Sequence, residues 1–148
     1  MNSDFVELLS LFKTFGVKYL LVGGYAVMYY TEPRFTKDFD LFVGQDQDNV
    51  SRFAKALEEF GFKLSADQIE RFQQPDALIA LGVPPNRIDF LNEIPGLNFD
   101  EAFRRGSEAD FAGSPVSIVS IEDLIASKRA AGRPQDLLDI ARLESGLK

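Results

Sequence analysis

The sequence predicts an α+β domain in which helices pack on a mixed β-sheet. Three observations carry this. Short β-rich apolar runs mix with segments of helical periodicity, but not in strict β-α-β alternation. Residues 76 to 91 read as strand, turn and strand, so at least one strand pair is antiparallel. At 148 residues and 45% hydrophobic, the chain is long enough to build one ordinary core. One domain over residues 1–148 is expected, with no internal repeat, low-complexity tract or linker.

The elements follow in order. Ser3 is placed to cap a first helix carrying Phe5, Leu8, Leu9 and Phe12 at helical spacing, and Gly16 stops it. Val17 to Val22 reads as a buried strand. Gly23-Gly24 breaks it, and Tyr25 to Tyr30 forms a short helix. Thr31 to Lys37 is a loop with Pro33, and Asp38 to Val43 is a second strand bounded by Gly44. Asp46 or Asp48 caps the next helix, which has Val50, Phe53, Leu57 and Phe60 on one face and Gly61 as its stop. Ala66 to Phe72 reads as a short helix or an irregular excursion. Asp76 to Gly82 and Arg87 to Leu91 are strands around the turn Val83-Pro84-Pro85-Asn86. Asn98 to Arg105 is a short helix, and Val116 to Val119 a short strand. Ser120 opens a helix with Glu122 and Asp123 in its first turn and Lys128-Arg129 near its end. After the break Gly132-Arg133-Pro134, Gln135 to Leu143 is a last helix, with Leu137, Leu138, Ile140 and Ala141 as its apolar surface.

Composition excludes much chemistry. There is no Cys and no His, so thiol nucleophiles, imidazole bases, Ser-His-Asp triads and zinc in its usual setting are ruled out. Catalysis must run on carboxylates, Lys, Arg, hydroxyls or a hard cation held by oxygen ligands. A formal net charge of -7 argues against a broad nucleic-acid footprint. The basic clusters Arg104-Arg105 and Lys128-Arg129-Arg133 read as solvated helix faces. The fourteen Phe, with no Trp, point to a Phe-rich interior. The N-terminus lacks the continuous apolar segment of a signal peptide, and the apolar run near Tyr19 to Val22 is too short to span a bilayer. A cytoplasmic protein without membrane contact is expected.

Three groups of residues carry candidate chemistry. Asp38 and Asp40 sit two apart on a strand, so their side chains share one face, while Phe39 and Leu41 face a core. Two carboxylates so close repel and raise one pKa unless a cation lies between them. Mg²⁺ would take their oxygens and keep places for phosphate and water. Asp89 lies between apolar residues in Arg87-Ile88-Asp89-Phe90-Leu91. A carboxylate buried there requires a metal or a partner. Gly23-Gly24 lets a ligand approach the backbone, and the helix after it offers free N–H groups to phosphate. A ligand-free tight turn would also use Gly at these positions.

Together these residues resemble a known signature. Val22-Gly23-Gly24, a short helix, the Asp38-Phe39-Asp40 strand and a third carboxylate, Asp89, on a later strand are similar to the nucleotidyltransferase-fold (DNA polymerase beta-like) superfamily. Gly23-Gly24-Tyr25-Ala26 with Arg34-Phe35-Thr36-Lys37-Asp38-Phe39-Asp40 resembles both AbiEii-type toxin nucleotidyltransferases and small antibiotic nucleotidyltransferases. The tail, Ile121 to Lys128 and Gly132 to Asp139, looks more like the AbiEii-like proteins. The chain departs from minimal antitoxin-type members, which have Gly-Ser, and lacks the long C-terminal domain of full-length AbiEii-type toxins.

The resemblance implies a nucleotidyltransferase-type mixed sheet. It implies Asp38, Asp40 and Asp89 as catalytic metal ligands for Mg²⁺, with an NTP as substrate. Asp89 would bind a second metal or act as the base. Gly23, Gly24, Thr36, Lys37 and Lys128 would receive the nucleotide. A Lys at the end of a helix equally suits the helix dipole. Arg133 and Asp136 read as a pair that fixes the last helix break. The acceptor is left as tRNA, protein or a small molecule, with room for a partner protein. Two other readings stay open: an inactive nucleotide- or partner-binding member of the fold, and an aminoglycoside- or lincosamide-type antibiotic enzyme. The acidity of the chain suits a cationic acceptor.

Overall fold

The computed structural model describes residues 2–36, 38–111 and 113–146. Among these, seven helices flank one six-stranded sheet. The elements run α1 (Ser3–Phe15), β1 (Tyr19–Val22), α2 (Gly23–Tyr30), β2 (Asp38–Val43), α3 (Gln47–Phe60), α4 (Ala66–Arg71), β3 (Leu78–Leu81), β4 (Arg87–Leu91), α5 (Phe99–Arg105), β5 (Ser107–Phe111), β6 (Ser114–Ile118), α6 (Ile121–Ala131) and α7 (Pro134–Gly146). The strand order is β3-β4-β2-β1-β6-β5. β1 pairs antiparallel with β2 and parallel with β6, and β2 pairs parallel with β4. The sheet is therefore mixed, as the α+β reading expects.

One face of the sheet is an aromatic core. Phe39, Leu41, Ile88 and Phe90 point to it from β2 and β4, all nearly or fully buried. The α1 helix brings Phe5 to stack on Phe39 at 4.2 Å between ring centres. Phe53 of α3 meets both Phe72 and Phe90 at 5.0 Å. Seven Phe are wholly or almost wholly buried, so the Phe-rich interior is real. It anchors the strand that carries Asp38 and Asp40.

Two buried asparagines tie strand ends to their neighbours. Asn49 accepts from the Lys18 N–H at 2.7 Å and donates to the carbonyls of Lys18 (3.0 Å) and Gly44 (2.8 Å). Asn92 accepts from the Ala77 N–H at 2.8 Å and donates to the carbonyls of Phe72 (2.9 Å) and Gln74 (2.7 Å). Each satisfies backbone groups that a loop would otherwise bury unpaired.

Local differences from the sequence reading have local causes. Asn2, not Ser3, caps α1, its side chain accepting from the Asp4 N–H at 2.7 Å. The caps at Asp46, Ser65, Asn98 and Ser120 each accept from a backbone N–H three residues on. At Ser65 the reciprocal bond from Gln68 completes a capping box, which makes the ambiguous Ala66 stretch a helix. The sixth strand, β5, has no counterpart in the sequence reading. Its Ser107-Glu108-Ala109-Asp110-Phe111 is polar because it is an edge strand with only Ala109 buried. On α7, Ile140 and Leu143 are the buried side chains, whereas Leu137 and Leu138 are mostly exposed. No helix among the described residues is long and apolar enough to cross a membrane.

Phe53 lies where three rings meet, so Phe53→Ala is expected to cost about 3–5 kcal/mol. The exposed Phe62, changed to Ala, should cost under about 1 kcal/mol. Urea unfolding of both variants checks the contrast.

Candidate active site

Register builds the site. In the parallel β2–β4 pair, Asp38 lies opposite Arg87 and Asp40 opposite Asp89. Alternation then aims Asp38, Asp40 and Asp89 at the face away from the aromatic core. One carboxylate oxygen from each of the three lies within 4.8 Å of the others. An octahedral Mg²⁺ bound at about 2.1 Å holds opposite ligands about 4.2 Å apart. Three hard oxygen donors at this spacing fit such an ion.

The electrostatics agree with that fit. Asp40 is pushed up to about 7, first by burial and then by the charges of Asp89 and Asp38, with Arg87 and Lys128 opposing. Arg87 is the local counter-ion, its Nε 2.7 Å from Asp89 and 4.0 Å from Asp38. From the sequence, Arg87 shares this face two residues away along the strand, where an ion pair with Asp89 is one open reading. Its side chain is long enough to fold back and donate to Asp89.

Gly23 closes one side of the site. It has φ +67°, and a Cβ there would lie 2.3 Å from Oδ2 of Asp40. The position therefore requires Gly twice, for its backbone angle and for the carboxylate pressed against it. A Cβ on Gly24 would meet Thr36 Cγ2 at 2.7 Å. Helix α2 begins at Gly23 itself, two residues earlier than read from sequence, and no side chain caps it. Its first N–H groups are thus available to a ligand.

A cleft of about 420 Å³ opens here, lined by Gly23, Gly24, Arg34, Thr36, Asp38, Asp40, Lys128 and Arg133 among others. The buried Thr36 hydroxyl has no hydrogen-bond partner among the described residues. Lys37 lies outside the described residues. Lys128 is in the last turn of α6, but only 11% of its side chain is exposed, and its ammonium lies 3.1 Å from Asp139 and 3.5 Å from Asp136. The solvated-face reading fails for Lys128, while it describes Arg129, paired at the surface with Glu144. Arg105 pairs with Asp123 at 2.8 Å. Arg133 pairs with Asp136 at 2.7 Å across the α6–α7 break, as the sequence reading expected.

Sequence reasoning missed one cleft residue and the buried acid that holds it. Arg34 was read only as part of the motif, yet it lines the cleft and donates to both oxygens of Asp139, the second at 3.3 Å. Asp139 was not singled out, although it is 1% exposed. An acid among the apolar residues of an amphipathic helix was the available signal.

Comparison with known proteins now bears on this arrangement. Residues 1–147 match the family model described as "Nucleotidyl transferase of unknown function (DUF2204)". The chain belongs to this family. The nucleotidyl transferase fold is shared with solved structures of low identity. The lincomycin-bound lincosamide antibiotic adenylyltransferase LnuA is 19% identical, with a TM-score of 0.63 over 98% of this chain and 97% of that one. The antibiotic-resistance factor ANT(2'')-Ia is 15% identical, with a TM-score of 0.65 over 99% and 83%. An antigenic nucleotidyltransferase-like protein from Paracoccidioides brasiliensis is 16% identical, with a TM-score of 0.54 over 99% and 77%. No curated protein sequence matches the chain significantly. The nucleotidyl transferase assignment from sequence thus stands, and closeness to the AbiEii-type branch is not among these findings.

The raised pKa of Asp40 has a consequence for stability. The folded nucleotidyl transferase binds this proton more tightly than the unfolded chain does, so stability falls as pH rises from about 4 to about 7. In EDTA, Asp40→Asn should remove that slope and be more stable than the parent at pH 8 by about 1–3 kcal/mol. Thermal melts of both proteins from pH 5 to pH 8 check this, and equal slopes would reject it.

Proposed function

We propose that this nucleotidyl transferase moves an NMP group from an NTP to a hydroxyl-bearing acceptor in a Mg²⁺-dependent reaction. One observation carries the reading. Three carboxylates converge, and two of them, Asp38 and Asp40, line a cleft together with Gly23, Gly24, Arg34 and Lys128.

Asp38, Asp40 and Asp89 would hold the ion. A bound Mg²⁺ supplies positive charge that neutralises and orients the triphosphate. Gly23, Gly24 and the uncapped start of α2 receive phosphate oxygens, and Thr36 supplies its unpartnered hydroxyl. Lys128 and Arg34 face the charge that develops on the leaving group. Lys37, between Thr36 and Asp38 in the sequence, is a further candidate for the nucleotide. The acceptor oxygen attacks the α-phosphorus, the bond from that phosphorus to the β-phosphate oxygen breaks, and pyrophosphate leaves. Asp89 takes the acceptor's proton. Most of the rate gain comes from positioning and charge neutralisation.

Phe35 gives the nucleobase its place in this scheme. It is 78% exposed, in a chain that buries most of its other Phe side chains, and it lines the cleft between Arg34 and Thr36. A flat ring at the rim suits stacking, worth about 1–3 kcal/mol per base.

For the acceptor, the AbiEii-like tail supports tRNA or a protein, with recognition helped by a partner chain. A small antibiotic-like acceptor is the second reading. It is supported by the net charge of -7 and by the near-complete coverage of the lincosamide enzyme. An inactive, binding-only protein is disfavoured by the presence of all three carboxylates.

Incubation with each labelled NTP, Mg²⁺ and either tRNA, cell protein or aminoglycosides and lincosamides should label one acceptor class. Asp40→Asn should lose both cation binding and transfer. Asp89→Asn should lose transfer by about 100-fold or more while keeping weakened cation binding. No Mg²⁺-dependent transfer to any class, or transfer unchanged in Asp40→Asn, would sink the enzymatic reading. Phe35→Trp places the only Trp in the chain at the cleft rim. Its fluorescence should be quenched by NTP but not by inorganic tripolyphosphate, and equal responses would remove Phe35 from base recognition.

A further inference from the structure

Lys128 and Arg34 hold their places in the cleft through two aspartates of α7, Asp139 behind the lining and Asp136 at its edge. Asp136 and Asp139 lie three apart on α7, so they share one helix face, and each is 1% exposed. Asp139 bridges two chain segments: it accepts from Arg34, in the loop before β2, and lies 3.1 Å from Lys128 of α6. Asp136 accepts from the Arg133 backbone N–H at 3.1 Å and Nε at 2.7 Å, and reaches Lys128 at 3.5 Å. Burial tends to raise both carboxyl groups. The hydrogen bond from Arg133 to Asp136, and those from Arg34 and Lys128 to Asp139, outweigh it and hold both below the usual range. Packing of Ile140 and Leu143 on the same helix seats the pair.

We infer that Asp139 and Asp136 are positioning residues that hold the ammonium of Lys128 and the guanidinium of Arg34 toward the triphosphate. The inference rests on the nucleotide reading of the cleft. A free Lys side chain carries rotamer entropy that a ligand must otherwise overcome on binding. Here that freedom is already lost in the folded protein. The cluster holds three cations (Arg34, Lys128 and Arg133) against two carboxylates, so positive charge remains for a phosphate. This arrangement makes the last helix part of the binding machinery, although none of its residues carries the chemistry.

The sign of a substitution separates this role from its rivals. Charge alone predicts that removing a buried aspartate strengthens anion binding, because a nearby negative charge is lost. A purely structural role predicts a lower melting temperature with binding unchanged in the folded protein. Positioning predicts weaker binding. Inorganic tripolyphosphate with Mg²⁺, titrated by calorimetry, is the probe because it is independent of base and acceptor. Asp139→Asn should weaken its binding about tenfold or more, and Asp136→Asn, which spares the Asp139 bridge, by a smaller factor. Mn²⁺ binding to the three strand carboxylates, followed by electron spin resonance, should stay within about twofold and shows that each variant is folded at the site. In a Lys128→Gln background the effect of Asp139→Asn should shrink, because the residue it acts through is gone. This double variant also removes both partners of the pair, which is gentler on folding than removing one. Folded variants that bind tripolyphosphate as tightly as the parent, or more tightly, overturn the inference. A parent protein that binds Mn²⁺ but no tripolyphosphate overturns the nucleotide reading of the cleft, and this inference with it.

Discussion

Like-charge repulsion among Asp38, Asp40 and Asp89 is the constraint around which the rest of the molecule is arranged. Parallel pairing sets Asp40 directly beside Asp89, and the strand period sets Asp38 on the same face. Left alone, such a cluster drives its members to protonate or move apart. Moving apart is not open. The backs of β2 and β4 are locked into the aromatic core by Phe39, Leu41, Ile88 and Phe90, and Gly23 blocks the side of Asp40. The strain appears instead as a carboxyl group displaced to about 7 and as the recruitment of Arg87. A divalent cation relieves both at once.

The same cleft that holds Asp38 and Asp40 also gathers a basic cluster. Arg34, Lys128 and Arg133 come from a loop, a helix end and a helix break, and they converge because α7 packs beside α2 and α6. A chain with a net charge of -7 thus concentrates cations in one cleft. Acidic and basic groups together suit a ligand that carries phosphate and brings a metal. The chain belongs to a family described as nucleotidyl transferases of unknown function.

Much of this was legible in the sequence because it depends on short-range periodicity. The two carboxylates on β2, the caps at Asp46 and Ser120, and the hairpin from Leu78 to Leu91 all follow from local sequence pattern. What stayed hidden depends on chain segments far apart in sequence. β5 is polar and gains its identity only by pairing with β6. Arg34 and Asp139 are separated by 105 positions and meet only when α7 docks. Leu137 and Leu138 fit a helical stripe, yet α7 is rotated to bury Ile140, Leu143 and the two aspartates instead.

By itself, then, the sequence determined the available chemistry and the strand on which it sits. The lack of His and Cys left oxygen ligands and a hard cation, and alternation put Asp38 and Asp40 on one face. The resemblance names Asp89 and Lys128, and tertiary structure decided how they reach the pair and which charges face them. Asp89 joins the pair through β2–β4 register, and Lys128 leaves the solvated role its helix position suggests because buried aspartates of α7 draw it in. Register and helix docking are set by the burial of apolar surface over the whole chain, and no local run of residues encodes them.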